Sequence, residues 1–258
     1  MPAHRRLILI TGASGAIGGA LACAYAEPGV QLLLHGRNAT ALRAVADRCS
    51  ALGAHTELTS VELTDDHQLH NWLEELHHDT LPDLVIACAG MNIDIGRDGA
   101  GEPWEQSAQL LALNLRAPMA MANVLAPRMK ARGSGQLVFI SSLAAWHGLP
   151  VTPSYSASKA GIKAYGEALR GWLAPYGVGV SVVMPGYVAS PMAAAMPGPK
   201  PWQWSAERAA RVIRRGIEQD LARISFPFPL NVGSWWLGVL PAGLSQRLVR
   251  WFGYGAPR

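Results

Sequence analysis

The sequence predicts an α/β protein: one doubly wound, mostly parallel sheet of seven strands with helices on both faces. Two patterns carry that expectation. Seven short apolar runs recur along the chain, each separated from the next by a helix-patterned segment; strict alternation of this kind builds parallel βαβ units. Several runs, residues 7–10, 84–87 and 137–140 among them, are apolar at successive positions, as strands covered on both faces are. No repeat, low-complexity tract or polar linker divides the 258 residues. One domain over residues 1–230 is expected, followed by a chemically distinct extension over residues 231–258.

In chain order, the first strand, residues 7–10, enters Thr11-Gly12-Ala13-Ser14-Gly15-Ala16-Ile17-Gly18 and a helix over 16–27. The second strand, 30–34, leads through His35-Gly36-Arg37 to a helix over 39–52, and the third, 55–61, leads to a helix over 66–79. The fourth, 84–87, runs into Cys88-Ala89-Gly90 and then a long helix over 104–131. The fifth, 137–140, closes on Ser141-Ser142, ahead of a helix over 153–175 that carries Tyr155 and Lys159. The sixth, 178–184, meets Pro185-Gly186, and a helix over 205–221 leads to the last strand, 223–226.

Composition narrows the classes of function. Half of the residues are hydrophobic and 16% are charged, which excludes disorder as the main state. A net charge of +4 falls short of a dedicated nucleic-acid binder, and the late tryptophans lack the interleaved basic repeats of a stacking platform. Cys23, Cys49 and Cys88 have no CxxC spacing, so reduced thiols in a cytoplasmic setting are expected. Only four apolar residues separate Arg5 and Arg6 from Thr11, and no signal peptide is read there. His67, His70, His77 and His78 share a predicted helix without a cysteine or strand partner; they read as a solvated face, and no metal is expected.

The chemistry-bearing residues lie at the strand ends. Glycines between a first strand and its helix let backbone N–H groups approach a pyrophosphate; the plain alternative is an ordinary strand–helix turn. About twenty residues on, where an NAD site carries a carboxylate for the ribose, this chain has Arg37. Arg37 either pairs with a 2′-phosphate, favouring NADP (NADPH) over NAD, or is a solvated arginine at a helix start. Tyr155 and Lys159 are one helical turn apart on one face. A neighbouring ammonium depresses a tyrosine pKa and suits the phenol to acid/base work. Ser142 is either a hydroxyl for a substrate oxygen or a turn cap. Asn114, between Leu113 and Leu115, is either a satisfied core amide or part of a buried relay.

Taken together, the glycine turn, Cys88-Ala89-Gly90, Asn114, Ser142, Tyr155-x-x-x-Lys159 and Pro185-Gly186 resemble, over residues 6–192, the short-chain dehydrogenase/reductase family. The resemblance implies a single-domain Rossmann fold and hydride transfer between a nicotinamide and a carbonyl or alcohol carbon. By it, Tyr155 is the acid/base, Ser142 holds the reacting oxygen, Lys159 lowers the Tyr155 pKa and binds the nicotinamide ribose, and Asn114 holds a relay water. Implied cofactor contacts are Gly12, Ser14, Gly15, Ile17, Gly18, Arg37, Glu62, Leu63, Ala89, Gly90, Tyr155, Lys159, Pro185, Gly186 and Val188. Pairing through the helices over 104–131 and 153–175, as homodimer or homotetramer, is implied too. Three positions depart from the family pattern: Cys88 stands for the usual Asn, Glu62 for Asp, and Ser190 for a common Thr.

The last quarter differs from the rest. From Lys200 onward nine basic residues face three acidic ones, and none of residues 224–246 is charged. Pro227, Pro229 and Pro241, with three glycines, argue against a spanning helix. Tryptophans beside apolar residues and Arg247 and Arg250 suit an interfacial helix on anionic lipid; packing on a second subunit or over the cleft is the alternative. The first would place a cytoplasmic protein at the inner face of a membrane. Met192, Met196, Trp202 and Trp204 make the substrate loop apolar as well. The expected activity is therefore interconversion of a ketone and a secondary alcohol on a hydrophobic small molecule, of acyl or steroid type. The competing reading is a sensor of NADPH occupancy, or a membrane- or partner-binding protein, with little turnover.

Overall fold

The computed structural model describes residues 6–254 except 77–79, 97 and 197. Its seven strands are β1 (Arg6–Ile10), β2 (Val30–His35), β3 (His55–Thr59), β4 (Leu84–Ala87), β5 (Gly135–Ile140), β6 (Val178–Pro185) and β7 (Arg223–Phe226). All pair in parallel, in the order β3-β2-β1-β4-β5-β6-β7. The order reverses between β1 and β4, and ligands of such sheets bind in the crevice beyond the strand ends at that point.

Helices cover both faces, as the two-sided apolar strands require. On one face, α1 (Ala16–Tyr25), α2 (Ala39–Ala51) and α8 (Ala206–Glu218) bury Leu21, Val45 and Ile213 with Ile8, Leu32 and Ile224 of the sheet. On the other, α3 (Asp66–Glu74), α5 (Ala117–Arg132) and α6 (Pro153–Leu173) bury Trp72, Leu125 and Ile162 with Leu9, Val85 and Phe139. Each such large side chain contributes roughly 1.5–3 kcal/mol. Gly166 lets α6 lie close to the sheet, since a Cβ there would come within 2.7 Å of Val182. Asn38 and Asp65 cap α2 and α3, accepting first-turn amides at 3.0 and 2.9 Å.

The predicted helix over 104–131 is three pieces: α4 (Trp104–Leu111), a π-turn (Ala112–Arg116) and α5. Pro118, which cannot donate to the preceding turn, opens α5. The predicted helix over 66–79 ends at Glu74; residues 77–79, with His77 and His78, lie outside the described residues, as does Arg5. The segment after β6 forms α7 (Pro191–Ala195), and the chain beyond β7 folds into α9 (Leu230–Val239), α10 (Ala242–Val249) and a final turn, Arg250–Tyr254. No helix among the described residues is long and apolar enough to cross a membrane.

Candidate active site

Thr11, at the end of β1, ties the glycine turn to β4: its hydroxyl accepts the amides of Cys88 and Ala89 at 3.1 and 3.2 Å. Gly12 has φ +69°, and a Cβ on it would sit 2.8 Å from the Ala89 Cα. A Cβ on Gly18 would run into the Gly12 carbonyl. Gly12 therefore permits the close approach of the β1 and β4 ends, and Gly18 the close packing of α1 on the turn. The turn delivers α1 with Gly15 at its N-cap, no capping side chain and no acidic residue in its first turn. Such a helix end favours an anion.

At the end of β2, the buried His35 donates from Nε2 to the Val61 carbonyl at 2.7 Å, and burial lowers its pKa. Arg37 next to it is 59% exposed in its side chain and lies 3.7 Å from Glu62. Glu62 is held chiefly by Thr64, whose amide and hydroxyl donate to Oε1 at 3.1 and 2.8 Å. Those bonds, ahead of Arg37, hold its carboxyl below the usual range.

The acid/base group stands where β5 gives way to α6. Lys159 is buried, and its Nζ donates to the Ile140 carbonyl at 2.9 Å. The Ser141 hydroxyl donates to the Lys159 carbonyl at 2.7 Å, which fixes this turn of α6 to the strand end. The Tyr155 hydroxyl hydrogen-bonds Ser142, and the Lys159 ammonium lies 5.5 Å from the Tyr155 ring centroid. Ser142 also caps the short turn after β5, accepting the Ala144 amide at 3.2 Å, as the cap reading expects.

One expectation is corrected. The Lys159 ammonium was to depress the Tyr155 pKa, yet burial dominates and raises it, the Ser142 bond opposing in part. Lys159 is itself desolvated, its pKa pulled down to about 8, and its proton is directed to a backbone carbonyl. The Cys88 thiol beside it is pushed up to about 11 by burial, which suits an inert strand-end thiol.

Asn114 sits in the π-turn, 2% exposed. Its Oδ1 accepts the Met91 amide and its Nδ2 donates to the Met91 carbonyl, both at 2.8 Å; Nδ2 also reaches Ser158 Oγ at 3.3 Å. Ser158 in turn donates to the Tyr155 carbonyl at 2.8 Å. These bonds satisfy the Asn114 amide, which joins the loop after β4 to α6. Gly90 leaves room for that bridge, since a Cβ there would come 3.1 Å from Asn114 Oδ1.

All the sequence-predicted site residues other than Asn114 line one cleft of about 1070 Å³. The cleft fits a dinucleotide: the uncapped N-terminus of α1 lines it together with Arg37 and the buried Lys159. Ser190 caps α7 by accepting the Ala193 amide at 3.0 Å, and Val188 bridges to Trp204. Sequence reasoning missed Met91, His147 and Tyr187 as lining residues, and reached Leu237, Leu240 and Leu248 only through the alternative that the C-terminal segment packs over the cleft. Only the apolar composition around the last three pointed there. Among the described residues no group of His, Cys, Asp and Glu could hold a metal ion.

Comparison with known proteins agrees with this geometry. The family model for short chain dehydrogenases matches residues 6–199. An oxidoreductase of Myxococcus xanthus is 33% identical over 247 residues, covering 95% of this chain and 96% of its own. The ketoacyl reductase HetN of Nostoc sp. is 32% identical over 185 residues, covering 71% of this chain and 64% of its own. A short-chain dehydrogenase from Sphingobium yanoikuyae, solved in complex with NADPH, superposes with a TM-score of 0.81 at 26% identity over 95% of both chains. With its parallel seven-stranded Rossmann sheet and its nicotinamide-cofactor cleft, the chain belongs to the short-chain dehydrogenase family and is an NAD(P)-dependent oxidoreductase.

Proposed function

We propose that the protein interconverts a ketone and a secondary alcohol on a hydrophobic, lipid-like substrate of acyl or steroid type, with NADP(H) as its cofactor. The observation that carries this reading is the cleft itself. Tyr155 and Ser142 share it with Met192, Met196 and Trp202 of the substrate loop and with Leu237, Leu240 and Leu248 of the C-terminal helices. A wall of that composition rewards apolar substrate surface at roughly 25 cal/mol per Å².

The nicotinamide, when bound, supplies or accepts the hydride. Ser142 Oγ holds the substrate oxygen, and the Tyr155 hydroxyl, already bonded to Ser142, gives its proton to that oxygen in reduction and takes it back in oxidation. Burial raises the phenol pKa, which favours the proton-carrying form that reduction uses. Lys159 holds the cofactor ribose, and Asn114 fixes the loop through Met91 that faces it. The first turn of α1 and the glycines from Gly12 to Gly18 take the pyrophosphate. Gly90, Pro185, Gly186 and Val188 flank the nicotinamide, and Glu62 and Leu63 the adenine. Arg37 takes the 2′-phosphate: its guanidinium is exposed at the cleft and tied to Glu62 only at 3.7 Å. The NADPH complex of the Sphingobium enzyme supports that preference, and HetN's name, a ketoacyl reductase, supports an acyl ketone.

Trp104, 73% exposed, and Met119 stand out along α4 and α5, which supports pairing of two copies through these helices. The test of function is NADPH oxidation against a chain-length series of 3-oxoacyl thioesters and a steroid ketone. Turnover should climb with apolar size and vanish in Tyr155→Phe while NADPH binding persists. Absence of turnover on every ketone, or survival of turnover in Tyr155→Phe, would overturn the proposal.

A further inference from the structure

We propose that α9, α10 and the final turn form a lipid-facing portal, docking the protein on an anionic bilayer and admitting substrate from it. The proposal rests on the hydrophobic-substrate reading and adds the source from which that substrate comes.

The helices are two-faced without being amphipathic in the usual sense. Leu237, Leu240 and Leu248 point into the cleft. Phe228 (78% exposed), Val232, Trp235, Val239, Leu244 and Trp251 (79% exposed) are outside it and open to solvent. Positions 232, 235 and 239 recur at the spacing of one helical face, so α9 turns an apolar stripe outward as well as inward. Trp236 and Phe252 belong to both sets, exposed and lining the cleft, which puts them at its rim. No residue of α9 is buried and none is charged. An apolar surface of this kind marks a partner.

Charge selects the partner. Arg247 and Arg250 are exposed beside the apolar set, and no acidic residue follows Asp220 in the sequence. Against a second copy through the same patch, residues 228–254 carry no charge but Arg247 and Arg250, so positive charge would meet positive charge. Against anionic lipid, the same arginines are attracted while the tryptophans settle at headgroup level. The helix pair is held to the body at Gly238, where a Cβ would come 2.6 Å from the Trp146 carbonyl. Two cations steady that tryptophan: Lys163 and Arg223 lie 4.5 and 4.6 Å from its ring centroid. The portal is thus fastened on its cleft side and free on its outer side.

The test uses the full chain with vesicles of phosphatidylcholine alone or mixed with phosphatidylglycerol, read by co-sedimentation. Binding is expected to the anionic vesicles. Arg247→Gln with Arg250→Gln should weaken it about thirtyfold, at roughly 1 kcal/mol per arginine near an anionic surface. Trp235→Ser with Trp251→Ser should weaken it too. NADPH binding and reduction of a short water-soluble ketone should be unchanged in both variants, while reduction of a long-chain ketone held in vesicles falls. Failure to bind anionic vesicles, equal binding by the variants, or loss of a dimer on Trp235→Ser with Trp251→Ser would overturn the portal. Because the soluble-ketone assay reads the reaction separately, its failure alone would indict the proposed function instead.

Discussion

Lys159→Met should remove a pH dependence of stability that the wild-type protein carries. Lys159 is 6% exposed, and burial draws its pKa from an ordinary 10.5 to about 8, with Cys88 opposing in part. Between those values the unfolded chain binds more protons than the folded one, so stability rises with pH. Below the folded pKa the whole cost of burying the charge is present; it is relieved as pH climbs toward the unfolded value. The cost is roughly 3 kcal/mol near pH 7 and about 1 kcal/mol near pH 10, a relief of roughly 2 kcal/mol over that window. Methionine keeps the aliphatic stem but not the titration. It also leaves the Ile140 carbonyl without the bond at 2.9 Å, at roughly 1–3 kcal/mol, so the two proteins differ little near pH 7. Comparing slopes cancels that bond and the titrating groups that do not interact with Lys159; Cys88, which does, is kept in both proteins. Urea unfolding at several pH values without added cofactor gives both curves, and parallel curves would refute the account of Lys159 as a desolvated ammonium.

Three further outcomes follow from the site. Arg37→Ser should raise the NADPH dissociation constant roughly tenfold to a hundredfold, the worth of charge-assisted bonds, and leave NADH nearly unchanged; fluorescence titration with both cofactors reads it. Gly12→Ala should cost about 2–4 kcal/mol in thermal unfolding, because a left-handed backbone and contact with the Ala89 backbone are both penalised, and NADPH binding should fall with it. Ser141→Ala should cost roughly 1 kcal/mol, the net worth of a buried bond to the Lys159 carbonyl, measured by denaturant midpoint.

The strands and the glycine turn were legible because their signals are local. A run such as Leu84–Ala87, apolar at every position, has few alternatives to a covered strand. The spacing of Tyr155 and Lys159 is set by a single helical turn, so it survives folding unchanged. What could not be read depends on groups far apart in the chain. Lys159 spends its proton on Ile140, nineteen residues earlier, and the sense of the Tyr155 shift follows from burial that only the closed fold creates. The break in the helix over 104–131 left one trace, Pro118; Leu113-Asn114-Leu115 is compatible with either an α or a π turn.

The C-terminal helices show most sharply where the reading stops. Their composition announced an apolar segment with two arginines, and that much is visible in one dimension. Which side of α9 faces the cleft is not, because a helix without a charged residue has no polar stripe to declare its outside. Packing decides instead: Gly238 and the Trp146 carbonyl fix the rotation of α9, and Gly186 lets the segment approach, since a Cβ on it would meet Pro227 at 2.9 Å and Leu230 at 3.0 Å. Once the rotation is fixed, Leu237 and Leu240 fall inside and Val232, Trp235 and Val239 outside. Gly238 thus settles which apolar residues meet substrate, and an alanine there would shift that division before it touched the chemistry at Tyr155.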